Sequence, residues 1–393
     1  MADLVITNIG QIVSGNLASP LIAGDTVVVR DGRIAAVGIA QNVDQTGIEH
    51  VIDAAGCQLW PGLIDSHSHP VFGDWTPRQQ VQNFIESGLH GGVTRIISAG
   101  EPHLPGRPKD AAGTKALAIL ATKSWSQVRP GGVKVLGGAV LLEHGLTEAD
   151  FREMAREGVR IVGEIGISGV YKPEDARPMV EWAHGCGMIV LMHVGGASIP
   201  GSSVIGAREA LAIGPDVASH VNGGPTAAPF KDIERLVAES QMMIEVVQAG
   251  NTARAAAVAQ LLVREHALQR MIIGTDTPSG TGVIPLGVLR TMAWIASLGG
   301  VAPELTVAMA SGTTAQLYSL PEGRVEVGNA ADLLLVDAPK GSEATNALSA
   351  LAIGDTPSVL VVVVDGVVRV AGSRNTPGGT RTVQVPWVTA GGH

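Results

Sequence analysis

Cysteine is nearly missing from this 393-residue chain: Cys57 and Cys186 stand alone, with no C-x-x-C spacing. That excludes a disulfide framework and fits a reducing cytoplasm. Aromatics make up only 3 % and charged residues 16 %, and the 51 glycines follow no collagen-like period, so a fibrous chain is excluded. No cluster of Lys and Arg stands out against a net charge of −9, which argues against a nucleic-acid groove or an anionic-membrane surface. Long hydrophobic runs are missing too: Val359 to Val364 is the longest aliphatic stretch, far below the ~20 residues of a membrane span. Met1-Ala2-Asp3 opens neither a basic nor a long apolar region, so no signal peptide is expected. What is present is ample apolar material, 45 % of the chain, enough for a large core without staples.

The two ends read differently from the middle. Short β-rich runs fill residues 4–61, with Asp31-Gly32 between VVV and IAAV in the form of a two-residue hairpin turn. The C-terminal stretch repeats the pattern in ADLLLVD and in VLVVVVDGVVRVAG, which holds a second such turn at Asp365-Gly366. The two stretches are expected to pair into one small β-sandwich, residues 1–61 with 321–393. Between them, over residues 62–320, strand-like apolar runs alternate with helix-length segments. The expected strands are Gly62–Asp65, Thr94–Ser98, Val133–Leu136, Arg160–Gly163, Met188–Met192, Val217–Ser219, Met242–Val247 and Met271–Gly274. Alternation implies right-handed βαβ units, and eight units over about 250 residues fit a closed (β/α)8 barrel. No G-x-G-x-x-G fingerprint follows the first strand to favour an open doubly wound sheet.

In such a barrel the active site lies at the C-terminal rim of the strands. His67 and His69 fall there after the first strand, Glu164 after the fourth, His193 after the fifth, His220 after the sixth and Asp276 after the eighth. Imidazole and carboxylate suit Zn2+, Fe2+ or Mn2+. His67-x-His69 on extended backbone projects both rings to one side, because side chains alternate with period two. Two such rings can bind one ion, the histidines of strands five and six a second, and Glu164 can bridge them with its two oxygens. Taken singly, each residue has a blander reading: a hydrogen-bonded core histidine, a helix cap at Asp276, an arginine partner for Glu164. Six coincidences at one mouth favour the metal reading. His103, on the loop after the second strand, is a candidate substrate contact.

Pro61–His69 (PGLIDSHSH), the later single His, His and Asp, and the returning GNAADLLLVD at 328–337 resemble the amidohydrolase superfamily over essentially the whole chain. Longer stretches resemble its enamide-opening branch: GRPKDAAGTKALA at 106–118, GEIG at 163–166, HVNGGPTA at 220–227, PSGTGVIPLGVLR at 278–290 and SRNTP at 373–377. The resemblance implies a binuclear hydrolase with His67, His69 and Asp276 on one divalent ion, His193 and His220 on the other, and Glu164 between them. Zinc is the first expectation, with iron at one site or manganese as alternatives. Lys134 and Lys172 read as non-ligands, and Val194 departs from the hydroxyl-bearing residue expected after His193.

The expected reaction is opening of a cyclic amide C–N bond by a metal-bridging hydroxide, with Asp276 moving the proton from water to the leaving nitrogen. The branch's substrate, 6-oxo-1,4,5,6-tetrahydronicotinate, carries a carboxylate that Arg78 or Arg107 could bind, with Ser202 and Ser203 as further candidates. A surface ion pair is the plainer reading of either arginine. The alternatives are a hydantoin-, dihydropyrimidine- or lactam-opening enzyme, then a deaminase, then a non-enzymatic barrel scaffold, which predicts missing ligands. The resemblance also implies a homotetramer.

Overall fold

The computed structural model describes residues 3–71, 81–197, 201–223, 226–278 and 284–387. Eight parallel strands form its centre: β1 (Leu63–Ser68), β2 (Val93–Ser98), β3 (Lys134–Leu136), β4 (Ile161–Ile165), β5 (Ile189–His193), β6 (Val217–Ser219), β7 (Met243–Val247) and β8 (Met271–Gly274). Each expected strand is found, but β1, β4 and β5 run one to three residues further than their apolar runs suggest. His67, Glu164 and His193 therefore lie on strands, not on the loops after them. Polar side chains at the rim end a hydropathy pattern before the backbone pairing ends.

Pairing is continuous from β1 to β3 and from β4 to β8. Two single bridges join these sets, Val140 with Val162 and Ser68 with Thr277. The Gly163 N–H donates to Val140 O at 2.8 Å and the Asp276 N–H to His67 O at 2.9 Å, so both seams carry hydrogen bonds and the ring is closed. Inside it, Ile64, Ile97, Ile161, Leu191, Val217 and Ile272 pack with Tyr318, as inward positions of a filled barrel should.

Helices Ala111–Gln127, Pro173–Gly185, Phe230–Glu239 and Thr252–Arg264 follow strands, as the alternation predicts. Polar caps start them where the sequence changes character: Asp110 accepts from the Gly113 N–H and Asn251 from the Arg254 N–H, both at 2.9 Å. No helix among the described residues is long and apolar enough to cross a membrane.

Both chain ends form the smaller β layer. Leu333–Asp337 pairs antiparallel with Gln58–Pro61 in the register Leu333 to Pro61 through Val336 to Gln58. This puts the C-terminal strands in a six-stranded sheet with the N-terminal ones, beside a four-stranded sheet from residues 4–53. Leu4, Ile6, Val27, Leu59, Leu333 and Val361 are buried in the core of this layer. Asp31 and Gly32 turn with φ of 49° and 76°, and Asp365 and Gly366 with 48° and 74°. Two left-handed residues in a row are the signature of the hairpin turn that Asp-Gly favours.

Candidate metal centre

The closed ring brings six side chains from five strands to one mouth. His67 lies on β1 and His69 one residue beyond it, with ring centroids 5.1 Å apart. Glu164 comes from β4, His193 from β5, His220 from just beyond β6 and Asp276 from just beyond β8. All are buried apart from Asp276, whose side chain is 22 % exposed. β8 can press this close to β1 because Gly274 has no side chain; a Cβ there would lie 2.7 Å from the His67 Cβ. His220 and Asp276 hold φ of 37° and 55°, a left-handed conformation that is uncommon without glycine and persists where the surroundings impose it.

The ring nitrogens are sorted by their partners. His67 donates from Nδ1 to Glu245 Oε2 at 2.7 Å and His69 from Nδ1 to Gly100 O at 3.0 Å. His193 donates from Nε2 to Gly196 O at 2.8 Å. These bonds assign the tautomers, so each ring turns its lone pair into the mouth. His67 Nε2 is then buried with no hydrogen-bond partner. It stands 3.5 Å from Glu164 Oε2 and 3.7 Å from Asp276 Oδ1, while His69 Nε2 lies 3.4 Å from the same Asp276 oxygen. Glu164 Oε1 faces the other way, 2.5 Å from His220 Nε2, which in turn lies 3.2 Å from His193 Nδ1.

Among the described residues, two groups of three ligand atoms close within 4.8 Å, His67 with His69 and Asp276, and His67 with Glu164 and His220. An orphaned buried imidazole nitrogen inside a borderline-hard nitrogen and oxygen donor set is what a divalent cation would satisfy. The residues fit a metal.

Electrostatics favour ionised carboxylates at this mouth. Burial alone would raise the Glu164 carboxyl, but the His220 and His67 imidazoles outweigh it and hold the group well below the usual carboxylate range. Asp276 is lowered against its own burial by His69, His67 and His220. His193 is pulled down to about 4 by burial and by its neighbour His220, which keeps its ring neutral for coordination.

Of the other sequence candidates, His103 lies beside this mouth. The His103 ring lies 5.5 Å from that of His69, and burial, then His69, draws it down to about 4. Arg107 spends Nη1 on Glu143 Oε1 at 2.8 Å, in an ion pair that is nearly buried and not on the surface. The Ser203 N–H donates to Gly166 O at 2.8 Å, fixing the loop after β5 on which Ser202 also lies. Arg78 lies outside the described residues. Lys134 is buried against Asp332 at 3.0 Å and Lys172 caps the helix at 173–185, so neither joins the ligand cluster.

Sequence reasoning missed Glu245 and Asp65. Asp65 accepts from Thr275 N at 2.8 Å and Thr275 Oγ1 at 2.6 Å, tying β1 to the segment that carries Asp276. Both are lone carboxylates inside apolar strand runs, PGLID and MMIEVV. A buried charge in such a run needs a specific partner, and that was the available signal.

A model of the amidohydrolase family matches residues 59–369. Enamidase of Eubacterium barkeri is 51 % identical over 385 residues, covering 98 % of this chain and all of the relative. A crystal structure of enamidase superposes with a TM-score of 0.94 over the same 98 % of the chain and all of its own. D-hydantoinase of Geobacillus stearothermophilus matches over 83 residues at 37 % identity, which is 19 % of this chain and 17 % of the relative.

Proposed function

The chain belongs to the amidohydrolase family, and from that premise we propose that it opens a cyclic amide of the enamide type at a binuclear metal centre. The carrying observation is Glu164, whose two oxygens face separate imidazoles, Oε2 towards His67 and His69 and Oε1 towards His220. One carboxylate so placed can serve two ions. His67, His69 and Asp276 would hold one, and His193 and His220 the other. When bound, such a pair supplies Lewis acidity and lowers the pKa of water at the site.

The protein's own groups do the rest. Asp276 alone among the six is partly open to solvent, and its lowered pKa keeps it ionised and ready to accept a proton. It takes the proton of the water that attacks the amide carbon, then delivers it to the nitrogen as the C–N bond breaks. His103 lies at the edge of the mouth as a neutral hydrogen-bonding group for the substrate. Arg107, braced by Glu143, keeps guanidinium donors for a substrate carboxylate, with Arg78, Ser202 and Ser203 as further contacts.

The full-length likeness to enamidase favours 6-oxo-1,4,5,6-tetrahydronicotinate as substrate; the local likeness to D-hydantoinase supports a hydantoin as the second reading. We take zinc as the first metal, iron or manganese as alternatives, and a cytoplasmic homotetramer as the working form. Residues 62–320 act as the catalytic barrel, with 1–61 and 321–393 as the supporting β-sandwich. Elemental analysis combined with turnover tests all of this together. Two equivalents of metal are expected, and ammonia from 6-oxotetrahydronicotinate once the ring-opened enamine tautomerises to an imine and a second water hydrolyses it to an aldehyde. A metal-free protein inert on a panel of cyclic amides would overturn the proposal.

A further inference from the structure

One carboxylate beneath the mouth holds no place in the reaction. Glu245 lies in the middle of β7 between Ile244 and Val246, which pack into the outer core. Period two therefore turns Glu245 into the barrel, where it is fully buried. Among the described residues its one ionic partner is His67, with Nδ1 at 2.7 Å from Oε2. The Ser66 hydroxyl donates to its other oxygen at 2.5 Å. Both carboxylate oxygens are thus engaged by adjacent residues of β1.

The consequence reaches the ligand set through His67. A carboxylate on Nδ1 obliges that nitrogen to carry the proton and leaves Nε2 as a bare donor atom aimed between Glu164 and Asp276. It also raises the basicity of the ring towards a cation. His69 and His193 lean on the neutral carbonyls of Gly100 and Gly196 instead. His67 is moreover the one residue common to both ligand triads. The most strongly polarised of these three rings is thus the one that belongs to both groups.

We propose that Glu245, pinned by Ser66, is a positioning residue that orients and polarises His67 as a ligand of the metal centre. This rests on the binuclear reading above. The test is Zn2+ affinity, measured by competition with a chromophoric chelator, on wild type, Glu245→Ala, Glu245→Gln and Ser66→Ala. Melting of the metal-free proteins and kcat and KM for the cyclic amide are followed in parallel. Glu245→Ala should lose about 10- to 100-fold in Zn2+ affinity, and Glu245→Gln, which keeps an acceptor without the charge, should fall between it and wild type. Excess Zn2+ should restore kcat, with KM unmoved throughout.

A glutamate that only supports the fold would lower the melting temperature of the metal-free protein while Zn2+ affinity stays at the wild-type value, and that result would overturn the inference. Should Glu245→Ala fail to fold, Glu245→Gln and Ser66→Ala carry the decision by the same affinity measurement. Wild type that binds no Zn2+ would sink the metal centre itself and this inference with it. Wild type that binds Zn2+ with unaltered affinity in the variants would sink the inference alone.

Discussion

At the scale of single residues, the mouth sets two carboxylates among four imidazoles. Glu164 and Asp276 stay ionised in spite of burial because imidazoles crowd them. Asp276→Asn removes the proposed proton carrier while keeping the shape, so kcat should fall by about 10²- to 10⁴-fold; steady-state kinetics on metal-replete protein checks this, and an unchanged kcat would remove Asp276 from the role. The two thiols offer a contrast away from the site. Burial, then Asp337, pushes the Cys57 thiol up to about 12, whereas Cys186 is half-buried. A raised thiol pKa leaves the unreactive protonated form in place at every pH below it. At pH 8 a thiol reagent should therefore label Cys186 in the native protein and reach Cys57 only after denaturation. Equal labelling rates would contradict that.

At the scale of elements, turn chemistry and strand length decide where side chains arrive. The two Asp-Gly turns lie 334 positions apart in the chain yet touch in space: a Cβ on Gly366 would lie 2.9 Å from Gly32 Cα. Gly366→Ala adds left-handed backbone strain of about 1–2 kcal/mol and a backbone clash besides. Its urea midpoint should drop, while Ala substituted at exposed Gly185, which has open space and no positive φ, should leave the midpoint nearly unmoved. Strand length has a sharper effect on the site. β3 spans only three residues, so the Glu164 N–H reaches past it to Ala99 O, at 3.0 Å. That reach draws Glu164 towards the barrel axis, where it can face both sets of histidines.

At the scale of the whole molecule, the barrel's N-terminal face is fastened to the β-sandwich by buried charge. Lys134 Nζ lies 3.0 Å from Asp332, 2.7 Å from Asp365 and 3.5 Å from Glu322, and Arg95 pairs with Glu322. Burial opposes the Lys134 charge, but Asp332 and Glu322 outweigh it and raise its pKa above 10.5. A base raised on folding stabilises fully below its unfolded pKa and loses that contribution as pH climbs through the folded one. Thermal stability should accordingly erode above pH 10.5. Lys134→Met, which strands the carboxylates, should cost about 3–5 kcal/mol at neutral pH, read from denaturant unfolding. Chelation bears on the same global quantity from the other end. Loss of ions bound at 1,000 times their Kd removes about 4 kcal/mol, so the melting temperature should fall with EDTA and recover with Zn2+.

The architecture and a set of candidate ligands were legible in local pattern alone. Apolar runs alternating with helix-length segments marked all eight barrel strands, Asp-Gly marked the hairpins, and isolated polar residues where apolar runs end marked His67, His69, Glu164, His193, His220 and Asp276 as candidates. Only the tertiary structure decided what each ligand leans on and how tightly the mouth closes. Glu245 lies 178 positions from His67 and Glu143 lies 36 from Arg107. Such pairings arise from ring closure across strands, which no local window of residues encodes.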